Sequence, residues 1–387
     1  MLLPGLATAH SHAFQRALRG RAQRARGSFW SWRGLMYELA SRVSPDDVHA
    51  LSRFAFAELA RAGVTAVGEF HYLHHQPDGT PYAERTALAD AVIRAALEVG
   101  LRIALLRVIY ERPGHGRAPE GAQRRFVDAS LDDALGDVEA LAARWSGEPR
   151  VRVGVAPHSV RAVTLPSIVE AARFAEARAM PLHMHVSEQR REIHECLAEH
   201  GARPVRLLAD AGVLGPRFVA VHATHLAADE VRALGGSFAC LCRTTERDLG
   251  DGLPPTRELV RAGARLCFGV DSHASSDPFE EMRAAELDER SRTERRALLE
   301  APVLLEAASA GGYAAIGMAG LEREDEVALD ARDDALAGAR DATLDDAVVF
   351  GAGPRAVRSV CVGGAALALD ATRAREEFER RLSALAL

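Results

Sequence analysis

Short apolar runs alternate with amphipathic stretches along most of the chain, from Leu2 to about Arg290. The runs are rich in β-branched residues and have the length of buried strands, whereas the stretches between them repeat apolar residues at helical spacing. Such alternation is typical of an α/β fold in which crossover helices join parallel strands. Eight strands are predicted: Leu2–His12, Val64–Leu73, Arg102–Tyr110, Val151–Val160, Pro181–Glu188, Phe218–His225, Ser237–Thr245 and Arg265–Ser272.

The number of these units distinguishes two architectures. Eight β–α units in this length predict a TIM-type (β/α)8 barrel, and helix-start signals such as the N-cap Ser44 followed by Pro45 support the helices between the strands. The alternative is a doubly wound open sheet, which favours a glycine-rich phosphate loop after the first strand. Because the first strand ends in His10-Ser11-His12 instead, the barrel is the preferred prediction.

The end of the chain departs from the repeating pattern. A helical segment follows Arg290, and two short strand-like runs come next, at Asp346–Gly351 and Val357–Gly363. An amphipathic pattern at Thr372–Leu385 predicts a terminal helix. This end of the chain is therefore predicted to form an element of its own.

These patterns predict a barrel domain over residues 1–320 and an accessory segment over residues 321–387, the C-terminal remnant of a small β-sandwich. Leu2 already begins the first predicted barrel strand, so nothing upstream is left to pair with the accessory strands. Exposed strand edges are usually covered in a finished fold. We therefore expect the N-terminal strands of the sandwich to be missing from this sequence.

Composition narrows the class of protein. The 387 residues are 48% hydrophobic with a formal net charge of −6, which allows a large core and gives no sign of binding to nucleic acid or to membranes. No run approaches the ~18 apolar residues of a membrane span, and no secretory signal is recognisable, so a cytoplasmic location is expected. The five cysteines are predicted to be buried thiols. All 48 residues counted as Lys+Arg are arginine, which excludes a catalytic or carboxylated lysine.

The first candidate for chemistry is the pair His10 and His12. Side chains two apart on a strand share a face, so both imidazoles point to one side at the carboxyl end of the first strand. Barrel active sites lie at that end, and two imidazoles there supply part of the ligand set of a catalytic zinc. Taken alone, the pair is equally explained by partly exposed loop histidines.

Other predicted strands end in matching groups: His185 with Glu188 three residues later, His222, and Asp271. This order of motifs resembles the deaminase branch of the amidohydrolase superfamily. The resemblance implies that His10, His12, His185 and Asp271 bind a divalent metal ion, with Zn²⁺ as the first choice. Binuclear members commonly bridge two metals with a carboxylated lysine, so the absence of lysine favours one ion.

The resemblance also implies catalytic roles for three residues. Asp271 would accept a proton from the attacking water, and Glu188 would carry a proton to the departing nitrogen. His222 would polarise or orient the group under attack. The implied reaction is hydrolysis of a C–N bond with release of ammonia.

Two further histidines compete for the metal site. His183 shares a strand face with His185, but only His185 stands three residues before Glu188, so we interpret His183 as a packed barrel residue. His225 follows His222 by three residues and is interpreted as a supporting or structural residue.

The cluster His71, His74 and His75 is a second tempting set of ligands. Its irregular spacing after a strand fits a loop better than a metal site. Cys240 and Cys242 lack the paired CxxC spacing of a structural zinc site and are interpreted as core thiols.

Several flanking segments resemble those superfamily members that convert N-formimino-L-glutamate and water to N-formyl-L-glutamate and ammonia, a step of histidine degradation. The segments are His10–Arg16, Ser28–Arg33, Glu69–His75, Val221–His225, Thr244–Glu246 and Leu249–Gly252. The resemblance implies a small dicarboxylate as the partner molecule and a homodimer as the assembly. One segment departs from the family pattern, because Arg243 stands where a proline is usual, and this predicts a looser or repositioned loop.

The implied substrate carries two carboxylates, for which the planar guanidinium of arginine is the natural bidentate partner. Arg33 and Arg161 are the candidate clamps, and Gln15, Tyr72 and His158 are candidates for further hydrogen bonds to the substrate. Two alternatives stay open. One is a deaminase of an aminated, purine-like ring, and the other is a truncated, inactive homologue that binds metal or ligand without turnover.

Overall fold

A computed structural model describes residues 1–24, 29–368 and 370–386 of the protein, so Ser28 of the quoted segment lies outside the described residues. The strands are, in chain order, β1 (Leu2–Pro4), β2 (Leu6–Ser11), β3 (Val64–His71), β4 (Arg102–Ile109), β5 (Val151–Pro157), β6 (Leu182–Val186), β7 (Phe218–His222), β8 (Phe238–Leu241), β9 (Arg265–Phe268), β10 (Glu326–Leu329), β11 (Val357–Val362) and β12 (Ala365–Ala366).

Fifteen α-helices are present among the described residues. They are α1 (Phe29–Arg42), α2 (Pro45–Arg61), α3 (Ala87–Val99), α4 (Leu131–Arg144), α5 (Leu165–Ala177), α6 (Arg190–His200), α7 (Pro204–Asp210), α8 (Ala228–Ala233), α9 (Arg243–Leu249), α10 (Thr256–Arg261), α11 (Pro278–Thr293), α12 (Ala301–Glu306), α13 (Gly312–Ala315), α14 (Leu344–Gly351) and α15 (Ala371–Ala384). The predicted start of α2 is confirmed, because Ser44 and Asp47 form a reciprocal capping box there.

Strands β2 to β9 form one parallel sheet in the order of the chain. The gap between β2 and β9 is bridged by backbone hydrogen bonds, since the N–H groups of Val270 and Asp271 donate to the His10 carbonyl at 3.0 and 3.1 Å, and the N–H of His12 donates to the Asp271 carbonyl at 2.9 Å. The predicted (β/α)8 barrel is thereby confirmed, and the doubly wound sheet is excluded.

The first predicted barrel strand is in fact two strands. Gly5 separates β1 from β2, and a Cβ on this residue would lie 2.6 Å from Tyr313 Oη and 2.7 Å from Thr65 Oγ1. Only glycine leaves room for this close passage between two sheets. The barrel strand therefore begins at Leu6, and not at Leu2 as the apolar pattern predicted.

Strand β1 belongs to a second, antiparallel sheet of order β1-β10-β11-β12. Leu2 pairs with Ala328 and Pro4 with Glu326, while Glu326 pairs with Cys361 in β11. The expectation that nothing upstream could pair with the C-terminal strands is thus wrong. The predicted strand at Val357–Gly363 is present as β11, and the boundary between residues 1–320 and 321–387 stays a prediction.

The predicted strand at Asp346–Gly351 is wrong, because this segment is helix α14. Its run of β-branched and aromatic residues favours a strand locally, but Asp345 and Asp346 lie in the first turn, where a helix dipole stabilises acidic groups. The helix buries Val348 and Val349 and packs against α11 and α12. Burial on one helical face outweighed the local strand preference.

The amino-terminal end of the barrel is closed by packing. Tyr313 of α13 is fully buried among small residues of the inner strands, such as Ala7, Ala66 and Ala104. The small side chains leave room for the aromatic ring, which fills the interior at this end of the barrel. None of the helices in the described residues is long and apolar enough to cross a membrane.

Candidate metal centre and active site

Four side chains from three strands converge at the carboxyl end of the barrel. His10 Nε2 lies 3.1 Å from His185 Nε2 and 3.5 Å from Asp271 Oδ1, and His12 Nε2 lies 3.3 Å from the same Asp271 oxygen. His10, His12 and His185 also offer ring nitrogens that all lie within 4.8 Å of one another. The four predicted ligands are thus brought together.

These spacings suit a metal ion. Nitrogen ligands at about 2.0–2.1 Å from a tetrahedral zinc lie roughly 3.3–3.4 Å from one another. The measured distances of 3.1, 3.3 and 3.5 Å bracket that value. Three imidazoles and one carboxylate are ligands that zinc and other divalent ions accept. The donor set therefore fits one divalent cation.

The ionisation of the ligands also suits a cation. Burial lowers the pKa of His10 to about 3 and lowers the pKa values of His12 and His185, so the three rings are neutral. Burial opposes ionisation of Asp271, but hydrogen bonding to His10 and the positive charge of the nearby His222 ring outweigh burial and hold the pKa of Asp271 below the usual range. The centre thus holds neutral nitrogen donors and an ionised carboxylate.

Hydrogen bonds on the side away from the centre orient the candidate ligands. His12 Nδ1 lies 2.8 Å from the Phe70 carbonyl, which places its hydrogen on Nδ1 and leaves Nε2 with a lone pair toward the centre. Ser11, between the two histidines, donates to Glu69 at 2.6 Å and lies 2.8 Å from His273 Nε2. Neither Glu69 nor His273 was predicted from the sequence to have a role, although Glu69 belongs to one of the segments that carry the family resemblance.

The backbone at the strand ends is strained. Ser187, His222 and Asp271 have φ angles of 54°, 70° and 45°, in the left-handed region that non-glycine residues rarely adopt. Such conformations cost of order 1–3 kcal/mol each and cluster at functional sites. All three residues lie at or just after the carboxyl end of a barrel strand, where the chain leaves the sheet.

Glu188 and His222 complete the centre. His222 Nε2 lies 3.9 Å from Glu188 Oε1 and 3.8 Å from Asp271 Oδ2. Burial opposes protonation of His222, but the carboxylates of Glu188, Glu246 and Asp271 outweigh it and raise the pKa of His222 to about 10. Burial also raises the pKa of Glu188, which favours a carboxyl group that can hold and release a proton.

A cavity opens directly on this centre. It is lined by metal-centre residues together with all five predicted substrate contacts and five further side chains: His12, His185, Asp271, Glu188, Gln15, Arg33, Tyr72, His158, Arg161, Trp32, Met36, Tyr37, Tyr110 and Phe126. Sequence reasoning missed Tyr110, although it directly follows β4 and so meets the same strand-end criterion as the predicted residues.

The two predicted arginine clamps contact uncharged groups. Arg33 Nε lies 2.5 Å from Tyr37 Oη, and its guanidinium stacks on the Tyr37 ring at 4.9 Å. Arg161 donates to the Pro113 carbonyl at 3.3 Å. Neither arginine forms an ion pair with any residue in the ranges 1–24, 29–368 and 370–386, so both charges are available to an anion in the cavity.

The remaining candidate contacts are polar groups fixed within the wall. Gln15 Nε2 donates to Tyr72 Oη at 2.6 Å, whereas Gln15 Oε1 is buried with no partner among the described residues. His158 Nδ1 lies 3.1 Å from Ser159 Oγ, and burial lowers its pKa, so the ring is neutral. These groups offer a ligand uncharged donors and acceptors beside the two guanidinium groups.

The competing histidines lie elsewhere. His183 Nε2 contacts the Ala315 carbonyl at 2.8 Å, nearer the closed end of the barrel. His74 and His75 contact the carbonyls of Val108 and Val127, each at 2.9 Å. They join none of the candidate ligand groups in the described residues, and neither does His71 or His225.

Arg243 does not loosen the seventh-strand loop. It is the first residue of α9, is fully buried, and pairs with Glu246 and Asp288. Of the two predicted alternatives, the looser loop is wrong because the guanidinium contacts two carboxylates in the interior, and the repositioned loop stays a prediction. The predicted strand Ser237–Thr245 accordingly ends earlier, at Leu241.

The fold and the site together are those of a hydrolase with a candidate metal centre at the mouth of a barrel. Residues 1–325 match the model of the Amidohydrolase family, and the chain belongs to that family. A formimidoylglutamate deiminase from Pseudomonas aeruginosa is 38% identical, covering 98% of this chain and 87% of the relative. An 8-oxoguanine deaminase from the same organism is 32% identical, covering 72% of this chain and 61% of the relative.

Solved structures agree with this assignment. The crystal structure of an amidohydrolase from Brucella melitensis superposes with a TM-score of 0.93 and 33% identity, covering 100% of this chain and 90% of that one. An adenosine deaminase from Xanthomonas campestris, solved with bound zinc, has a TM-score of 0.86 and 23% identity, covering 100% and 86%. The latter likeness concerns the fold alone.

Proposed function

We propose that this protein hydrolyses N-formimino-L-glutamate to N-formyl-L-glutamate and ammonia, as a step in histidine degradation. The observation that carries the proposal is one cavity that joins the His/Asp centre to two guanidinium groups, neither of which forms an ion pair within the part of the chain that the structure describes. The likeness to the formimidoylglutamate deiminase supports the same assignment. A dicarboxylate substrate would neutralise both guanidinium groups.

We further propose that His10, His12, His185 and Asp271 hold one divalent ion, with Zn²⁺ as the first choice. When bound, this ion supplies Lewis acidity that activates water and polarises the formimino group. The neutral imidazoles and the ionised carboxylate are in the states that such binding requires. No lysine is present to bridge a second ion in the manner of binuclear relatives.

The reaction requires two proton movements that the chain's own residues can perform. The oxygen of water bonds to the formimino carbon, the bond from that carbon to the terminal nitrogen breaks, and the nitrogen leaves with both water protons as ammonia. Asp271 would accept the first proton at its carboxylate, and Glu188 would deliver a proton to the departing nitrogen. Each such step is typically worth about 10²–10⁴-fold in rate.

His222 would bind and orient the reacting group from the other side of the centre. Its ring lies between Glu188 and Asp271, at 3.9 and 3.8 Å from their oxygens. Three carboxylates favour its protonated form, so its Nε2 can donate a hydrogen bond to negative charge that develops on the reacting group.

Arg33 and Arg161 would bind the two carboxylates of the substrate, and Gln15, Tyr72 and His158 would add hydrogen bonds. Charge-assisted hydrogen bonds of this kind contribute about 1.5–3 kcal/mol each. They also place the formimino end of the substrate against the metal centre, because the cavity is lined by both sets of residues.

The test is ammonia release by the zinc-loaded protein from three compounds. N-formimino-L-glutamate should be preferred over N-formiminoglycine, which lacks the second carboxylate, by roughly 10- to 150-fold in kcat/KM. Equal kcat/KM values for N-formimino-L-glutamate and N-formiminoglycine would contradict the binding of a second carboxylate by an arginine. Turnover of guanine alone would favour a ring deaminase, and tightly bound zinc without turnover of any compound would favour an inactive homologue.

For its setting, we propose a homodimer in the cytoplasm that has neither nucleic acid nor membrane as partner. The net charge of −6 supports the absence of an acidic partner, and the resemblance to the family supports the dimer. Light scattering on the purified protein measures the assembly directly.

A further inference from the structure

We propose that Glu246, held in place by Arg243, is a positioning residue that fixes the orientation of the His222 ring. This inference rests on the proposed function for its consequences in catalysis. The contact between Glu246 and His222 is a property of the fold. It can therefore be tested by spectroscopy, without any measurement of turnover.

Glu246 contacts the face of His222 that is turned away from the cavity. Its Oε1 lies 3.3 Å from His222 Nδ1 and accepts the backbone N–H of Cys242 at 3.0 Å. Both side chains are almost completely buried, with 0% and 1% of their surface exposed. A carboxylate at Nδ1 places a hydrogen there and sets the ring plane, so that Nε2 faces the centre.

The charge of Glu246 is balanced on its other side. Arg243 pairs with Glu246 through Nη1 and with Asp288 through Nη2, the latter at 2.6 Å. Removing one partner of a buried ion pair leaves the other charge uncompensated. Arg243 therefore holds the Glu246 carboxylate in place beside His222, while Asp288 ties the pair to α11.

The helix that carries Glu246 is anchored to the metal centre as well. Thr245 Oγ1 donates to the Val270 carbonyl at 3.0 Å and accepts the Ser272 N–H at 3.2 Å. Val270 and Ser272 are the residues on either side of Asp271 in the chain. The first turn of α9 thus fixes the strand end that bears Asp271 and, through Glu246, the ring of His222.

A second cation at this place is a competing interpretation, since His222, Cys242 and Glu246 present ligand atoms within 4.8 Å of one another. Arg243 excludes it, because its guanidinium already contacts the Glu246 carboxylate and would repel a cation. Glu246 does not line the substrate cavity either. Its influence on the reaction must therefore pass through His222.

The kinetic arm compares Glu246→Ala, Glu246→Gln and Arg243→Met with the control Arg247→Ala. Arg247 also contacts Asp288, at 2.6 Å, but its side chain is exposed and forms no ion pair with Glu246 among the described residues. Loss of a residue that orients an active-site histidine typically costs about 10–100-fold. Glu246→Ala should therefore lower kcat by that factor with KM unchanged. Glu246→Gln should keep most of the kcat of the unaltered protein, because its side-chain carbonyl still accepts a hydrogen bond. Arg247→Ala should match the unaltered protein.

Metal content and the thermal unfolding midpoint are measured for each variant, so that a loss of metal or of folding is distinguished from a loss of positioning. A kcat within twofold of the unaltered protein for Glu246→Ala would overturn the inference. So would a proportional rise in KM, or equal losses for Glu246→Ala and Glu246→Gln. If Glu246→Ala does not fold, Glu246→Gln and Arg243→Met still decide, since positioning predicts the larger kcat loss for Arg243→Met.

The spectroscopic arm needs no turnover. In protein labelled with ¹⁵N-histidine, the His222 resonances, assigned with His222→Gln, should show a hydrogen-bonded Nδ1–H that is lost in Glu246→Ala and kept in Arg247→Ala. An unchanged Nδ1 signal in Glu246→Ala would overturn the positioning role even if the proposed substrate is not turned over. A different result is also informative: the unaltered protein fails to turn over the substrate, but the Nδ1–H signal is lost in Glu246→Ala and kept in Arg247→Ala. That result would contradict the proposed function and leave the positioning role intact.

Discussion

Asp271 Oδ1 lies 3.3 Å from His12 Nε2 across the seam where the first and last barrel strands meet. The same two residues share a backbone hydrogen bond, because the His12 N–H donates to the Asp271 carbonyl at 2.9 Å. Closing the barrel and assembling the ligand set are therefore one structural event. Any change that opens the seam separates two of the four candidate ligands.

Metal removal should abolish activity and lower the unfolding midpoint together, since the ligands come together only in the folded chain. A cation at 100 times its Kd contributes about 2.7 kcal/mol of stability. Calorimetry and ammonia release should both recover when Zn²⁺ is added to chelated protein. His185→Ala should prevent this recovery, whereas His194→Ala, an exposed histidine of α6, should not. Full activity after complete chelation would contradict the metal centre.

Glu188→Gln should retain the metal and lose turnover. The carboxylate oxygens are absent from the candidate ligand groups among the described residues, but the side chain lines the cavity. We expect kcat to fall by about 10²–10⁴-fold because the amide cannot carry a proton. Glu176→Gln, at an exposed position of α5, is the matched control. Near-normal turnover of metal-loaded Glu188→Gln would refute the proton-carrying role.

Arg161→Ala should raise KM for N-formimino-L-glutamate and lower kcat/KM by roughly 10- to 150-fold, because the loss of a charge-assisted contact costs about 1.5–3 kcal/mol. Arg161→Lys should recover only part of the loss, since an ammonium cannot form the bidentate pair. Steady-state kinetics check both variants against Arg173→Ala, an exposed arginine of α5. An unchanged kcat/KM in Arg161→Ala would remove this residue from the substrate site.

Stability should depend on pH through Glu281. Burial raises the pKa of this carboxyl to about 8, from an ordinary value of 4.5. Between these values the folded protein keeps a proton that the unfolded chain releases, so the contribution is complete below pH 4.5 and is lost as the pH rises through 8. The free energy of unfolding should therefore fall with rising pH in this window, and fall less in Glu281→Gln.

Urea unfolding at several pH values between 5 and 9 measures this difference. Glu280→Gln is the matched control, because Glu280 is the neighbouring, half-buried carboxylate of α11. Parallel pH profiles for the unaltered protein and Glu281→Gln would contradict the raised pKa.

The sequence by itself determined the barrel and the place where the candidate metal ligands meet. Strand length, alternation and helix-start signals are local, and eight such units have few ways to close. Because parallel strands end at one mouth, polar residues placed directly after strands must meet there. This is why His10, His185 and Asp271 could be placed together without knowledge of any contact between them.

Only the tertiary structure decided the features that depend on distant partners. The pairing of Leu2 with Ala328 joins residues more than three hundred positions apart, and no local pattern reports it. Helix α14 forms from a strand-like run because one of its faces is buried against α11 and α12. Arg243 becomes an interior residue because Glu246 and Asp288 meet it there. In each case the deciding free energy comes from long-range packing or charge pairing, which spacing along the chain does not encode.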